Sequence, residues 1–143
     1  MGSGIAQVAS SSGHPVVLYD PAAGVLDKAR SDIQKTVSRL SEKGKISSRS
    51  AEEIFSNIRF ADTISECSNC GIVIEAIIEN LDAKQNLFAA IEKLVPSTTI
   101  LATNTSSLSV TAIASGCKIP ERVIGTHFFN PAPRMPLVEI IPG

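Results

Sequence analysis

Residues 1–20 read MGSGIAQVASSSGHPVVLYD, and the order of pieces in this stretch sets the fold. Residues 2–12 are small and helix-compatible, with Gly2 and Gly4 in the first turn, and Gly13-His14 breaks them. Pro15-Val16-Val17-Leu18-Tyr19 is then a short, β-branched, apolar run ending at Asp20, the pattern of a buried strand. Glycine at a helix start lets another backbone or a phosphate come close. Asp20 follows Gly2 by 18 positions. That is near the spacing of roughly 20 residues that puts a carboxylate on the adenosine ribose hydroxyls of a dinucleotide. A carboxylate there repels a 2′-phosphate and so favours NAD over NADP. Asp-Pro equally suits a helix start with Asp20 as its cap. On these residues alone both readings stand.

Outward from Asp20, strands and helices alternate. A long helix is expected from Asp20-Pro21 to Gly44, with Val25, Ala29, Ile33, Val37 and Leu40 at helical spacing. Ser50–Ser56 reads as a short helix capped by Ser48 or Ser50, and Ile58–Ala61 as a strand. Gly71–Ile74, Thr98–Ala102, Arg122–Thr126 and Pro136–Ile141 read as further strands. Between them, Asp82–Leu94 is an amphipathic helix stopped by Pro96, and Ser109–Ala114 a short one. Strands rich in Val and Ile, with little alternation and helices between, predict an α/β fold: a doubly wound, mainly parallel sheet.

The bulk properties narrow the function. The chain has 143 residues, enough for one domain with a real core. It is 43% hydrophobic and 19% charged, with a net charge of −1 and thirteen scattered basic residues. A nucleic-acid partner would need a clustered basic face, and with Trp absent there is little to stack bases on. No apolar run approaches the roughly 18 residues of a membrane span, so no membrane partner is expected. The start lacks the basic and long apolar parts of a secretory signal. A cytoplasmic protein, or the mature form of an organellar one, is the expectation. Cys67, Cys70 and Cys117 do not make a disulfide framework. Cys67-Ser68-Asn69-Cys70 has no second CxxC and no nearby His, so incidental thiols are expected ahead of a metal site.

Ligands of a doubly wound sheet sit beyond the carboxyl ends of its strands. Leu101–Leu108, LATNTSSL, runs from a strand into polar residues and then a helix. Ser106 and Ser107 there can cap the helix or hold a substrate hydroxyl. His127, in GTHFFNPAP, ends a strand and has the placement and chemistry of a base. A base needs an orienting group on its second ring nitrogen. Glu139, a lone carboxylate in the apolar strand LVEII, is expected to be buried and so to require a partner. Two polar outliers that repair each other's surroundings are more informative than either alone.

Together MGSGIAQVA, VVLYD, VIEAIIENLDAK, TNTSSLSVTAIA and GTHFFNPAPRMPLVEII resemble the NAD-binding domain of the 3-hydroxyacyl-CoA dehydrogenases, in the family's order along the whole chain. The resemblance implies a Rossmann-like fold and oxidation of an (S)-3-hydroxyacyl-CoA to the 3-oxoacyl-CoA, with NAD as cofactor and an acyl-CoA as substrate. The pathway would be fatty-acid or aromatic-acid degradation, or the reverse reaction in butyrate-type synthesis. It makes His127 the general base, Glu139 its orienting and charge-stabilising partner, and Ser106 the hydrogen-bond donor to the reacting oxygen. Asp20 would bind the adenosine ribose, and Gly2, Glu79, Lys84 and Asn104 would lie at the cofactor. Thr36 and Lys43 fall where the family's long helix meets the CoA tail.

The chain departs from the family pattern in three places. The family begins earlier, with a strand and a G-x-G-x-x-G turn of which Gly2 would be the last glycine. It continues into a helical domain that closes the acyl-CoA cleft and forms a homodimer. Pro136 stands where a basic residue is common. Residues 1–143 are therefore expected to be an incomplete NAD-binding domain, poorly soluble without the preceding strand. Two other readings remain open: a non-catalytic nucleotide-binding or crystallin-like relative, and a dehydrogenase of another hydroxy acid.

Overall fold

The structure, a computed structural model, describes residues 1–143 and divides into two compact units. One holds Met1 and Ser3–Thr63; the other holds Gly2 and Ile64–Gly143. No helix is long and apolar enough to cross a membrane.

The first unit follows the chain order α1 (Gly2–Ser11), β1 (Val16–Leu18), α2 (Val25–Glu42), α3 (Ser48–Ser56) and β2 (Ile58–Phe60). Strands β1 and β2 are parallel, with Val16 opposite Ile58 and Leu18 opposite Phe60. The stripe on α2 buries Ala29, Ile33 and Val37. Ile33 and Val37 form a core with Ile54 and Ile58, against which Val16, Leu18, Phe55 and Phe60 pack. The expected start of α2 is corrected by four residues and more. The Asp20 carboxylate accepts the Ala22 N–H at 2.9 Å, a local turn rather than a helix cap. Gly24 then takes φ 75°, a left-handed conformation that holds off the helix until Val25. The cap of α3 is Ser47, whose hydroxyl accepts the Ser50 N–H at 3.0 Å, rather than Ser48 or Ser50.

The second unit runs β3 (Ile72–Glu75), α4 (Leu81–Ile91), β4 (Ile100–Thr103), α5 (Val110–Ala114), β5 (Val123–Phe128) and β6 (Val138–Pro142). Its sheet has the order β3-β4-β5-β6. The first three strands are parallel and β6 is antiparallel to β5. Phe88 and Ile91 of α4, Val110 and Ile113 of α5, and Leu101 and Val123 of the sheet form its core. The fold is α/β with mainly parallel pairing, as the alternation predicts. The strands lie in two sheets, one of β1 and β2 and one of β3-β4-β5-β6. Strand β6 lies at the edge, and all five of its residues are exposed. Glu139 is therefore not the buried carboxylate expected, because an edge strand leaves its side chain 50% exposed. Cys70 and Cys117 are not joined in a disulfide.

Candidate active site

The carboxyl ends of β3, β4 and β5 gather the polar residues of the second unit. Glu75 is the last residue of β3 and Thr103 the last of β4. His127 is the penultimate residue of β5. The antiparallel register sets Glu139 directly opposite His127. Its Oε2 lies 2.8 Å from His127 Nδ1. A carboxylate has no proton to give, so Nδ1 carries the hydrogen and Nε2 keeps its lone pair. That nitrogen is 3.2 Å from Ser106 Oγ, whose hydroxyl donates to it. Phe129 packs beside the imidazole, ring centroids 4.8 Å apart. The result is a chain Glu139–His127–Ser106 whose imidazole is held in the tautomer a base needs.

The turn that carries Ser106 is itself tied down. Asn104 Oδ1 accepts the Phe128 N–H at 2.8 Å, joining the ends of β4 and β5. Glu79 Oε1 accepts the N–H groups of Ser106 and Ser107 at 3.0 and 3.1 Å and the Thr105 hydroxyl. Partial burial works against ionisation of Glu79, but the hydrogen bonds from Thr105, Ser106, Ser107 and Lys84 outweigh it and hold the carboxyl at about 2. Lys84, on α4, is buried, its ammonium 2.7 Å from Glu75 Oε1 and 3.3 Å from Glu79 Oε2. The structure thus turns Lys84 toward two carboxylates rather than toward open solvent. Glu75, Thr103 and Thr105 were not among the residues singled out from the sequence. The signal for Glu75 is the one that exposes Glu139: a lone carboxylate in an apolar run, here IVIEAII.

The remaining candidates belong to the first unit, apart from Gly2. Asp20 follows β1, and only its Oδ1 is engaged, by the Ala22 N–H. The first turn of α1 has no side-chain cap and no acidic residue. A free carboxylate oxygen suits a ribose diol, and the N–H groups and dipole of a helix start suit a pyrophosphate, so the residues present fit a dinucleotide. Gly2 groups with the second unit, where a Cβ on it would meet only Ala76 Cβ at 3.9 Å, an ordinary contact. Thr36 lies exposed on α2, its hydroxyl donating to the Asp32 carbonyl at 2.8 Å. Lys43 is exposed at the C-terminal end of that helix.

The family described as 3-hydroxyacyl-CoA dehydrogenase, NAD binding domain, matches residues 1–143. Over 143 residues the chain is 43% identical to 3-hydroxybutyryl-CoA dehydrogenase of Clostridioides difficile, covering all of this chain and 51% of that protein. It is 44% identical to 3-hydroxyadipyl-CoA dehydrogenase of Escherichia coli K12, again along its whole length, and covers 30% of that protein. The crystal structure of (S)-3-hydroxybutyryl-CoA dehydrogenase from Ralstonia eutropha superposes with a TM-score of 0.96 at 36% identity, covering 100% of this chain and 50% of the other. The chain spans about half the length, or less, of these relatives.

Proposed function

We propose, from the premise that the chain belongs to the 3-hydroxyacyl-CoA dehydrogenase family through its NAD-binding domain, that the complete protein oxidises (S)-3-hydroxyacyl-CoA thioesters to 3-oxoacyl-CoA. The observation that carries this reading is the Glu139–His127–Ser106 chain, with contacts of 2.8 and 3.2 Å at the carboxyl end of β5. When bound, NAD supplies the acceptor for the hydride that leaves the carbinol carbon. The residues of this chain handle the proton. His127 Nε2 takes it from the 3-hydroxyl, and the imidazole becomes a cation. Glu139, already bonded to Nδ1, stabilises that charge without itself taking the proton. Ser106 Oγ, now free to turn to the reacting oxygen, hydrogen-bonds it as it becomes a carbonyl. In the reverse direction His127 returns the proton to the alcohol. General acid–base assistance of this kind is worth about 10² to 10⁴ in rate.

The same reading assigns Asp20 to the adenosine ribose, the start of α1 at Gly2 to the pyrophosphate, and Glu79, Lys84 and Asn104 to the cofactor. Thr36 and Lys43 are assigned to the CoA moiety, and the complete protein to a homodimer. The test is substrate choice by the complete enzyme. NADH formation is expected from (S)-3-hydroxybutyryl-CoA, with little from the (R)-thioester or from free 3-hydroxybutyrate. Equal or faster turnover of the free acid would overturn the thioester assignment.

A further inference from the structure

We propose that Ser106, His127 and Glu139 also act as a nucleophilic triad. It transfers the acyl group of esters and thioesters that lack a 3-hydroxyl to water, through an acyl-Ser106 intermediate. All three residues belong to the second unit, and the proposal stands on their mutual geometry rather than on the oxidation described above.

A nucleophilic serine needs a base within roughly 2.6–3.2 Å and a third group that orients the base. Ser106 Oγ lies 3.2 Å from His127 Nε2, and His127 Nδ1 lies 2.8 Å from Glu139 Oε2. The carboxylate fixes the tautomer: Nδ1 carries the hydrogen, so Nε2 can only accept and the serine hydroxyl can only donate to it. An acceptor nitrogen bonded to a protein hydroxyl is the arrangement that raises the nucleophilicity of that hydroxyl. Such triads are recognised by geometry and role, not by their order along the chain.

The hydroxyl is within reach of a bound molecule. Ser106 is exposed, on the turn that leaves β4 and leads to α5. A serine on a strand-to-helix turn presents its oxygen beyond the end of the sheet. The base is more sheltered, its side chain 19% exposed, with Phe129 packed beside the ring. The N–H groups of Ser106 and Ser107 are engaged by Glu79 Oε1 at 3.0 and 3.1 Å, so they do not serve an oxyanion. Asn104 is the donor that remains in the turn. Its Oδ1 accepts the Phe128 N–H at 2.8 Å, which fixes the carboxamide and leaves the Nδ2 hydrogens for a developing oxyanion. One side-chain donor in place of a backbone pair sets a slow rate. Because Asn104 is also assigned to the cofactor, this activity belongs to the NAD-free enzyme.

The Ser106 hydroxyl gives its proton to His127 Nε2 as Oγ bonds to the carbonyl carbon. The C=O electron pair moves to oxygen and returns as the bond to the leaving thiolate or phenolate breaks. The proton follows the leaving group, directly from Nε2 or through solvent. Water then repeats the sequence. Its proton goes to Nε2, its oxygen bonds to the acyl carbon, the Ser106 ester bond breaks, and the proton returns to Oγ. The products are a free acid and a thiol or phenol, and nothing is oxidised or reduced. The substrate class follows from the same geometry. In a 3-hydroxyacyl thioester the hydroxyl competes with Ser106 for Nε2, and the thioester carbonyl is held one methylene away. A thioester or ester without that hydroxyl leaves the Ser106–His127 bond intact and brings its carbonyl to the nucleophile.

The experiment uses the complete protein without NAD, beside its Ser106→Ala and His127→Gln variants. The probes are p-nitrophenyl acetate and butyryl-CoA, with release of phenolate and of CoA thiol followed by absorbance. Intact-mass spectrometry and peptide mapping after an acid quench locate any acetyl group. Reduction of acetoacetyl-CoA by NADH is measured on the same preparations. The wild type is expected to turn over both probes slowly and to carry an acetyl group on Ser106. Ser106→Ala and His127→Gln should each lower release by about 100-fold or more, with circular dichroism showing both folded. If a variant does not fold, labelling of wild-type Ser106 by a fluorophosphonate, with release falling in proportion, carries the same comparison. Acetyl groups only on cysteines or lysines would overturn the proposal. So would release that persists in Ser106→Ala, or no release by an enzyme that reduces acetoacetyl-CoA. Failure to reduce acetoacetyl-CoA beside an acylated Ser106 would instead strike the oxidation and leave the triad standing.

Discussion

Arg122 shows what a single side chain does in the second unit. Its Nη1 donates to the Pro96 carbonyl at 2.7 Å and its Nη2 lies 3.2 Å from Glu92 Oε1, with both side chains buried. Glu92 also accepts the Lys118 and Ile119 N–H groups at 2.7 and 2.9 Å. Burial opposes its ionisation, but these backbone bonds and Arg122 keep its carboxyl below the usual range. The pair therefore staples the end of α4 to the segment entering β5. Arg122 Nε has no partner, so the staple is not a perfect one. Arg122→Met leaves Glu92 charged and buried, and is expected to destabilise by about 3–5 kcal/mol. Glu92→Gln should cost only about 1 kcal/mol, since an amide oxygen still accepts the two N–H groups. Denaturant unfolding of the complete protein checks both, and an Arg122→Met loss no larger than that of Glu92→Gln would contradict the staple.

At the scale of elements, the pairing of β5 with β6 decides the site, because a slip of one residue would turn Glu139 away from His127. Gly125 fixes that pairing. A Cβ on it would sit 3.0 Å from Ile141 Cβ and 3.0 Å from Val110 Cγ2, between β6 and α5. Gly125→Ala is expected to cost about 1–3 kcal/mol and to lower kcat as well, since the displaced strand carries Glu139. A variant with unchanged thermal unfolding and unchanged kcat would show that the interface yields without cost. The pairing of His127 with Glu139 is legible in the sequence, as a His ending one strand and a lone carboxylate inside the apolar run LVEII. The burial of Lys84 is not: lysine in an amphipathic helix is ordinarily exposed, and DAK gives no sign of two carboxylates waiting. The late start of α2 escapes for a similar reason. Val25, Ala29 and Ile33 show the helix, but the left-handed Gly24 before it is a backbone choice the pattern does not carry.

For the whole molecule, the residues proposed for chemistry and for the cofactor are distributed over two units. His127, Glu139, Ser106, Asn104 and the Glu75–Lys84–Glu79 network belong to Ile64–Gly143, while Asp20, Thr36 and Lys43 belong to Ser3–Thr63. The alternation of strands and helices gave the α/β class, and GTHFFNPAPRMPLVEII gave the family. Which strand pairs with which was not legible, since β-pairing between distant segments leaves no local pattern. The central proposal is that His127 acts as the base of a 3-hydroxyacyl-CoA dehydrogenase. The most direct measurement is kcat for oxidation of (S)-3-hydroxybutyryl-CoA with NAD by the complete enzyme and by its His127→Gln variant, with circular dichroism to show that both are folded. A fall of about 10²- to 10⁴-fold is predicted, and a folded variant with near-wild-type turnover would contradict it.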